Sequence, residues 1–283
     1  MPAFPIVDTH LHIWDVDRID YPWLATVPSL NKNHLIEDYV RACGAVAVSK
    51  MVFLQCECAP AQYEDELAWV TEVAAIDPRI RGIVPWAPLE KGDVAQAELA
   101  RIASNPLVKG IRRIIQFEPD PEFCLQADFV RGVQLLPQYG LTFDLCINHT
   151  QLPNTLALVR QCPEVQFIMD HIAKPDIKSG QLDPWRANLR ALADLPNVWC
   201  KISGLVTEAD LKHWKPADLK PYLDHVIDCF GFDRVMFGGD WPVSTQATDY
   251  PRWVATLDAA VEGCSPDELH RLYVRNAETF YRV

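Results

Sequence analysis

The sequence predicts an α/β fold and, within that class, a single (β/α)8 or TIM barrel spanning residues 1–283. Three observations support this prediction. Eight apolar, β-branched runs of strand length alternate with stretches of helical periodicity. Glycine, proline or asparagine precedes most of these runs, as is typical of short loops that lead from a helix into a strand. Eight such units also match the size of this barrel, and no linker or change in composition divides the chain.

The strands are predicted from the apolar runs, taken in chain order. A strand that is followed by a helix and then by another strand implies a parallel sheet whose crossovers are helices. Pro78 before the third run and Gly140 before the fifth are examples of the loop signals that separate the units. The predicted strands are residues 6–13, 50–56, 80–86, 108–115, 141–147, 165–169, 198–202 and 234–237.

The helices are predicted from the periodicity of the intervening stretches. In the first of them, Leu67, Val70 and Ala74 fall on one face of a helix. Ser265 is expected to cap the last helix, because a serine side chain accepts hydrogen bonds from the first free N–H groups of a helix. The predicted helices are residues 61–76, 94–103, 129–139, 156–161, 185–192, 219–230, 250–261 and 266–280.

Composition and charge argue against several classes of protein. Twenty-six Lys and Arg against 38 Asp and Glu give a net charge of −12, whereas nucleic acids and anionic membranes require a basic surface. With 49% hydrophobic residues the chain can bury a large core. It shows neither a signal peptide nor a run of about 18 apolar residues, so we expect a cytoplasmic protein without membrane contact. The nine scattered cysteines are expected to be reduced.

Reactive side chains follow three of the predicted strands, at the carboxyl ends where barrels of this type build their sites. His10 and His12 are two residues apart on the first strand, so the alternation of side chains directs both to the same side. His171 follows the sixth strand, and Asp240 follows the eighth. Because strands eight and one are neighbours in a closed barrel, Asp240 should lie beside the histidine pair. Such a set suits a divalent cation with an open position for water.

Segments along the whole chain resemble, in order, the sugar-lactone and dicarboxylate-lactone hydrolases of the amidohydrolase superfamily. Each segment is common by itself, but the ordered set is specific. The resemblance implies a (β/α)8 barrel that opens a lactone ring with water. The segments are 8–15 (DTHLHIWD), 21–24 (YPWL), 110–112 (GIR), 151–153 (QLP), 170–175 (DHIAKP), 201–205 (KISGL), 237–243 (FGGDWPV) and 276–277 (NA).

The resemblance also implies which residues form the reactive centre. His10, His12, His171 and Asp240 match the positions that bind a divalent metal, usually zinc, in some relatives, whereas other relatives hydrolyse their lactone without a metal. Both alternatives stay open. Lactone hydrolysis needs a base for water, and we assign this role to Asp240. The oxyanion would be stabilised by the cation with its histidines, or by His171 in a metal-free site.

Seven further residues are predicted to bind the substrate. Arg112 matches the Gly-x-Arg segment of the family and is expected to contact a substrate oxygen. His149 follows the fifth strand at a position where the resemblance does not lead us to expect a histidine, and it is interpreted as a substrate contact, a further metal ligand or a residue without a role. Lys201, in contrast, is expected to pair with a buried carboxylate. The other predicted substrate-binding residues are Gln55, Glu57, Lys174, Trp14 and Trp241.

Several alternative functions stay open. A decarboxylase of the same superfamily would use the same histidines and aspartate. A 2-pyrone-4,6-dicarboxylate-type lactonase would require an arginine for each substrate carboxylate, and the strand ends lack such a cluster, so a neutral sugar lactone is favoured. A metal-dependent deoxyribonuclease barrel conflicts with the charge of −12. A barrel that only binds its ligand would leave the reactive cluster unexplained. The expected partner is a small-molecule lactone, and assembly into a homo-oligomer stays open.

Overall fold

Eight parallel strands form the centre of the protein in a computed structural model that describes residues 2–283. Backbone hydrogen bonds pair β1 with β2 and β2 with β3, and they pair β4 through β8 in sequence order, always in parallel. The strands are β1 (Ile6–Leu11), β2 (Val48–Leu54), β3 (Ile80–Val84), β4 (Gly110–Ile111), β5 (Thr142–Leu145), β6 (Phe167–Met169), β7 (Val198–Ile202) and β8 (Val235–Phe237).

Two backbone bridges join these two sets of strands into a closed barrel. Ile83 in β3 pairs with Val108 just before β4, and Leu11 at the end of β1 pairs with Trp241 just after β8. Both bridges are parallel, like the pairs within each set. The (β/α)8 barrel predicted from the sequence is therefore confirmed. We refer to the junction of β8 with β1 as the seam.

Helices connect the strands and cover the outside of the barrel. In α2, for example, Val70 and Val73 are buried against the barrel, whereas Ile76 at the end of the helix is exposed. No helix within residues 2–283 has the length and apolar character that a bilayer crossing requires. The helices are α1 (Ile36–Cys43), α2 (Tyr63–Ile76), α3 (Gln96–Ala103), α4 (Ala127–Leu135), α5 (Leu152–Gln161), α6 (Trp185–Ala193), α7 (Leu205–Glu208), α8 (Pro216–Phe230), α9 (Tyr250–Ala260), α10 (Pro266–His270) and α11 (Asn276–Tyr281).

The predicted strands are correct in number and order, but most of them are too long. The fourth was expected over residues 108–115 and is paired as a strand only at Gly110–Ile111. Beyond it, the Arg112 N–H bonds to Pro85 O and the Ile115 N–H bonds to Cys146 O, both in the loops above the barrel. Apolar residues therefore continue past the strand into a loop that packs on its neighbours, and a hydrophobic pattern does not separate the two.

The helix predictions differ from the structure at both ends of the chain. Helix α1 was not predicted, because half of its eight residues are charged or exposed and its apolar face is short. The last predicted helix, residues 266–280, is interrupted by a π-helical turn at Arg271–Arg275. The expected cap is confirmed, since Ser265 Oγ accepts a hydrogen bond from the Glu268 N–H.

A buried ionic network lies inside the barrel, below the carboxyl ends of the strands. Lys201 Nζ is 2.6 Å from Asp144 Oδ2 and 3.0 Å from Asp170 Oδ1, and all three side chains are inaccessible to solvent. Tyr281 of α11 donates a hydrogen bond of 2.6 Å to the same oxygen, Asp144 Oδ2. The expectation that Lys201 pairs with a buried carboxylate is confirmed. The network ties β5, β6 and β7 to the C-terminal helix.

Candidate active site

The carboxyl ends of β1, β6 and β8 bring three imidazoles and one carboxylate together. His10 Nε2 and His12 Nε2 are 3.2 Å apart, and Asp240 Oδ1 is 3.7 Å from each of them. His171 Nε2 lies 3.9 Å from the same carboxylate oxygen. At the seam, the Asp240 N–H donates to His10 O over 2.8 Å, which fixes the two backbones next to each other. The four side chains predicted to form one centre thus meet at one point.

A cavity of about 510 Å³ opens above this point, a volume typical of small-molecule sites. Seven of the residues predicted from the sequence line it: His12, Trp14, Glu57, Arg112, His171, Lys174 and Asp240. The sequence did not identify the rest of the wall. Most of these residues lie in loops and short helices above the barrel, whereas Cys56 and Cys146 lie within two residues of the ends of β2 and β5. The remaining wall residues are Trp23, Thr26, Val27, Cys56, Ile114, Gln116, Phe117, Cys146, Thr207 and Val243.

Two of the predicted substrate-binding residues, Gln55 and Trp241, do not line the cavity. Gln55 lies below the wall, where its side chain donates to Glu57 Oε1 over 2.7 Å and accepts the Glu57 N–H over 2.6 Å. It therefore orients a wall residue instead of contacting the cavity. The indole of Trp241 points to the other side of the seam and packs edge-on against His34 and Tyr39, with ring centroids 5.4 and 5.5 Å apart.

His149 also lies off the cavity wall. Its Nδ1–H donates a hydrogen bond of 2.9 Å to the backbone oxygen of Lys174. Among the described residues, it does not belong to either group whose ligand atoms are close enough for a metal ion. The structure therefore supports neither of the two functional interpretations of His149, and gives it a contact with the loop that follows β6.

Contacts at Nδ1 orient the imidazoles of the centre, and for His12 and His171 these contacts are hydrogen bonds. His12 Nδ1 is 2.8 Å from Leu54 O, and because a carbonyl only accepts, this nitrogen carries the proton and Nε2 presents a lone pair. His10 Nδ1 faces Asp170 Oδ1 at 3.4 Å. His171 Nδ1 is 2.9 Å from Ser203 Oγ, a hydroxyl that either donates or accepts and so permits both tautomers of His171.

Burial and nearby cations keep the three imidazoles neutral. Burial lowers the pKa of His10, His12 and His171 well below the ordinary value, because it disfavours the charged form. Neighbouring positive charges act in the same direction, chiefly from Arg112 and from lysines around the centre. A neutral imidazole is the form that binds metal ions and accepts hydrogen bonds.

Burial has the opposite effect on the carboxylate. It raises the pKa of Asp240 to about 7, although Lys174 and Arg112 partly oppose the shift. A carboxyl group with a pKa near neutrality takes up and releases a proton under ordinary conditions, as a general base must. A perturbed carboxyl group on the wall of a cavity is also a typical feature of a functional site.

The residues of the centre fit a divalent cation. Tetrahedral ligands at 2.0–2.1 Å from zinc are about 3.3 Å apart, and the Nε2 atoms of His10 and His12 are separated by 3.2 Å. Together with Asp240 they form one of two candidate groups, and the other consists of His10, Asp170 and His171. The first group fits better, because Asp170 already pairs with Lys201 and with Arg112, at 3.0 and 3.3 Å.

The backbone is strained at the strand ends that carry these residues. Among residues 2–283, seven non-glycine residues have positive φ, and six of them lie at the site: Glu57, Asp240 and the four consecutive residues 171–174. We refer to residues 171–174 as the left-handed turn. This conformation costs L-residues roughly 1–2 kcal/mol each, so it persists only where the surroundings hold it. Strain of this kind is concentrated at functional sites, and it has no signature in the sequence.

Asp8 is a further site residue that the sequence analysis did not identify. Its buried carboxylate accepts the N–H groups of His10 and Gly239 over 3.0 and 2.8 Å, and thereby joins β1 to the segment after β8. Two phenol groups, of Tyr39 and Tyr250, donate to its other oxygen over 2.8 and 2.9 Å. The carboxylate therefore supports the seam from below and holds the backbone of the histidine pair in place.

Glu66 supports the cavity wall through Cys56, and its contribution to the free energy of unfolding should depend on pH. Its buried carboxyl group accepts the Cys56 N–H over 3.1 Å, and burial raises its pKa from 4.5 to about 7. The folded state therefore binds this proton more tightly, so the contribution of Glu66 to stability is greatest below pH 4.5 and decreases until the pH passes about 7. Between these two pH values, the contribution of Glu66 to the free energy of unfolding should decrease by about 3 kcal/mol.

The free energy of unfolding in urea, measured for the wild type and for Glu66→Gln at pH 5 and pH 8, tests this prediction. The free energy of unfolding of the wild type minus that of the variant should be smaller at pH 8 than at pH 5. The variant is the reference because glutamine does not titrate. Parallel pH profiles for the two proteins would show that Glu66 titrates normally.

The fold and the site define the class of the protein: a (β/α)8 barrel with a histidine pair on the first strand, a histidine after the sixth and an aspartate after the eighth. The family model for amidohydrolases matches residues 7–283, and the chain belongs to this family.

Two curated relatives are similar over nearly the whole chain. An L-fucono-1,5-lactonase of Burkholderia ambifaria is 31% identical over 98% of this chain and 95% of its own length. An L-fucono-1,5-lactonase of Burkholderia multivorans is 33% identical, with 90% of each chain covered. The crystal structure of an amidohydrolase from Burkholderia multivorans with bound zinc is 31% identical and has a TM-score of 0.89, over 99% of this chain and 100% of that one.

Proposed function

We propose that the protein hydrolyses a sugar lactone, adding water across the ring ester to give the open sugar acid. The observation that carries this proposal is the convergence of Asp240 Oδ1 and three imidazole Nε2 atoms, all within 4 Å of it, at a cavity that His12, His171 and Asp240 line. The similarity to two L-fucono-1,5-lactonases supports the substrate class.

In the proposed reaction, Asp240 acts as the base. Its carboxylate takes a proton from a water molecule, whose oxygen forms a bond to the lactone carbonyl carbon. As the tetrahedral intermediate collapses, the bond from that carbon to the ring oxygen breaks. Asp240 then returns the proton to the departing ring oxygen. One carboxyl group can perform both transfers, because it holds the proton taken from the water until the ring oxygen departs.

Positive charge and hydrogen-bond donors around the cavity stabilise the oxyanion. Arg112 and Lys174 both line the cavity, and Arg112 Nη1 reaches within 3.2 Å of His10 Nε2, so it points at the centre. When Ser203 donates to His171 Nδ1, His171 Nε2 carries a proton and can donate it to the oxyanion. These groups supply donors whether or not a cation is present.

We propose zinc as the cation of this centre, held by His10, His12 and Asp240 with His171 beside them. The bound zinc of the similar amidohydrolase supports this assignment. When bound, the cation supplies Lewis acidity, which polarises a carbonyl group and lowers the pKa of water. The other named residues keep the same tasks: they bind the substrate, orient it and transfer the proton.

The cavity favours a neutral, polyhydroxylated lactone over a dicarboxylate. Each substrate carboxylate would require a bidentate arginine of its own, and Arg112 is the one arginine among the residues that line the cavity. Its Nη2 already bonds to Gln55 O and its Nη1 to Asp170, so the guanidinium is not free to form a bidentate pair with a substrate carboxylate. Glu57 and Lys174 on the wall are suited to bind hydroxyl groups.

A pH-indicator assay over a set of aldonolactones, run on zinc-loaded protein and on protein stripped with a chelator, tests the function and the metal separately. We expect acid release from at least one sugar lactone, and a loss of at least about 100-fold after stripping, restored by zinc. Equal rates before and after stripping would contradict the metal assignment alone. No hydrolysis of any lactone in either state, together with release of CO₂ from a carboxylic acid, would identify a decarboxylase.

A further inference from the structure

The left-handed turn is held by side chains that lie outside the cavity. We propose that Trp185 and His149 are positioning residues, which keep this turn in its left-handed form and thereby set the places of His171 and Lys174 in the cavity. The kinetic test of this inference rests on the proposed lactone hydrolysis, whereas the spectroscopic test does not.

Trp185 holds the middle of the turn. Its indole N–H donates a hydrogen bond of 2.7 Å to Ile172 O. The indole is 1% exposed and packs against Tyr222 and His225, with ring centroids 5.2 and 5.3 Å away, so it has little freedom to move. If the turn relaxed to the right-handed form, this carbonyl would point elsewhere and leave the indole N–H buried without a partner, which is unfavourable. The bond therefore favours the left-handed form.

His149 holds the end of the turn. Its Nδ1–H donates to Lys174 O over 2.9 Å, and the N–H of Lys174 closes the turn by donating to His171 O over 2.8 Å. Three of the four carbonyl groups of the turn are thus engaged, two of them by side chains from other elements. His149 lies in the loop after β5 and Trp185 begins α6, so the two hydrogen bonds to the turn come from different elements of the chain.

The imidazole of His171 has no room to adjust if the turn moves. A Cβ atom placed on Gly204 would lie 2.4 Å from His171 Nδ1, so the ring packs directly on a glycine. Its Nδ1 also bonds to Ser203 Oγ at 2.9 Å. A shift of the turn must therefore break this bond or move Nε2 relative to Asp240. Misplacement of a reacting group by about 1 Å is enough to lower a rate about 100-fold.

Trp185→Phe removes the N–H donor and shortens the ring system, and Trp214→Phe, which makes the same change elsewhere, is the matched control. Trp214 is also a buried indole with one bond to a backbone oxygen, 2.9 Å to Ala247 O, but it does not touch the turn. For Trp185→Phe we expect kcat to fall at least 10-fold with KM changed less than threefold. For Trp214→Phe we expect both constants to stay within twofold. If both variants lose kcat in proportion to their loss of Tm, the role of Trp185 is merely structural and the inference fails.

His149 is tested by a conservative replacement. His149→Asn keeps an N–H donor near the position of Nδ1 and should retain kcat, whereas His149→Leu removes the donor and should lower kcat at least fivefold. Equal kcat values in these two variants would contradict the role of His149.

The imidazole ¹H–¹⁵N correlations of His171 give a readout that does not depend on catalysis. They should shift in Trp185→Phe and His149→Leu and stay unchanged in Trp214→Phe. A wild type that hydrolyses no lactone would overturn the proposed function, and in that case these spectra alone would decide the inference. Unchanged His171 signals in all variants would overturn the inference that Trp185 and His149 position the turn.

Discussion

Replacing Asp240 with asparagine is expected to lower kcat for lactone hydrolysis by about 1,000-fold or more. The amide cannot accept the proton of the attacking water, although it fills the same space as the carboxylate. The backbone bond from residue 240 to His10 O does not involve the side chain and is retained. The variant should therefore fold normally, and its loss of activity should reflect the loss of the carboxylate, as base and as proposed zinc ligand.

Steady-state kinetics and thermal unfolding of this variant provide the measurement. Asp93→Asn is a suitable control, because Asp93 is exposed and pairs with Arg131 at 2.6 Å away from the cavity. It should keep full activity. A folded Asp240→Asn protein with near wild-type kcat would show that another group activates the water.

Replacing Lys201 with methionine is expected to destabilise the protein by about 3–5 kcal/mol. The variant would leave the carboxylates of Asp144 and Asp170 buried in the barrel without their shared cation. Burial already raises the pKa of Asp144 in the presence of the lysine, so removing the lysine should favour its protonated form further. The midpoint of urea unfolding measures this change.

The double variant Lys201→Met with Asp144→Asn serves as the control for this experiment. It removes one buried charge of each sign, so it should be more stable than Lys201→Met alone by at least about 1 kcal/mol. A single variant that loses less than about 1 kcal/mol would mean that water or local rearrangement compensates the two carboxylates.

The barrel and its reactive centre could be predicted from the sequence because both follow from simple patterns. Apolar runs between loop signals identify the strands. A reactive residue that directly follows such a run lies at the carboxyl end of a strand in any parallel barrel. His10, His12, His171 and Asp240 all satisfy this condition, and closure of the barrel at the seam then brings strands one and eight together.

Predictions for side chains just beyond the strand ends agreed less well with the structure. Gln55 and Glu57 both follow β2, yet Gln55 lies under the wall and bonds to Glu57, whose positive φ ends the regular alternation of side chains. Asp240 also has positive φ, and Trp241 after it points away from the cavity. Positive φ in non-glycine residues is imposed by tertiary contacts, so a local pattern does not reveal it.

The outer wall could not be predicted for a different reason. Trp23 and Phe117 reach the cavity from loops, and their position depends on how those loops pack and not on any periodicity. Trp23 does lie in segment 21–24, one of those that carry the family resemblance, so this signal could have identified it. Phe117 has no comparable signal. The role of His149 likewise depends on a backbone oxygen 25 residues further along the chain.

A crystal structure of the Asp240→Asn variant soaked with a hydrolysable aldonolactone tests the central claim most directly, because this variant should bind the lactone without opening it. We expect the intact ring in the cavity above the histidines, with its carbonyl carbon about 3–3.5 Å from a water molecule held at position 240. A lactone bound elsewhere on the protein, or seated in the cavity with its carbonyl group turned away from His171 and position 240, would contradict the account.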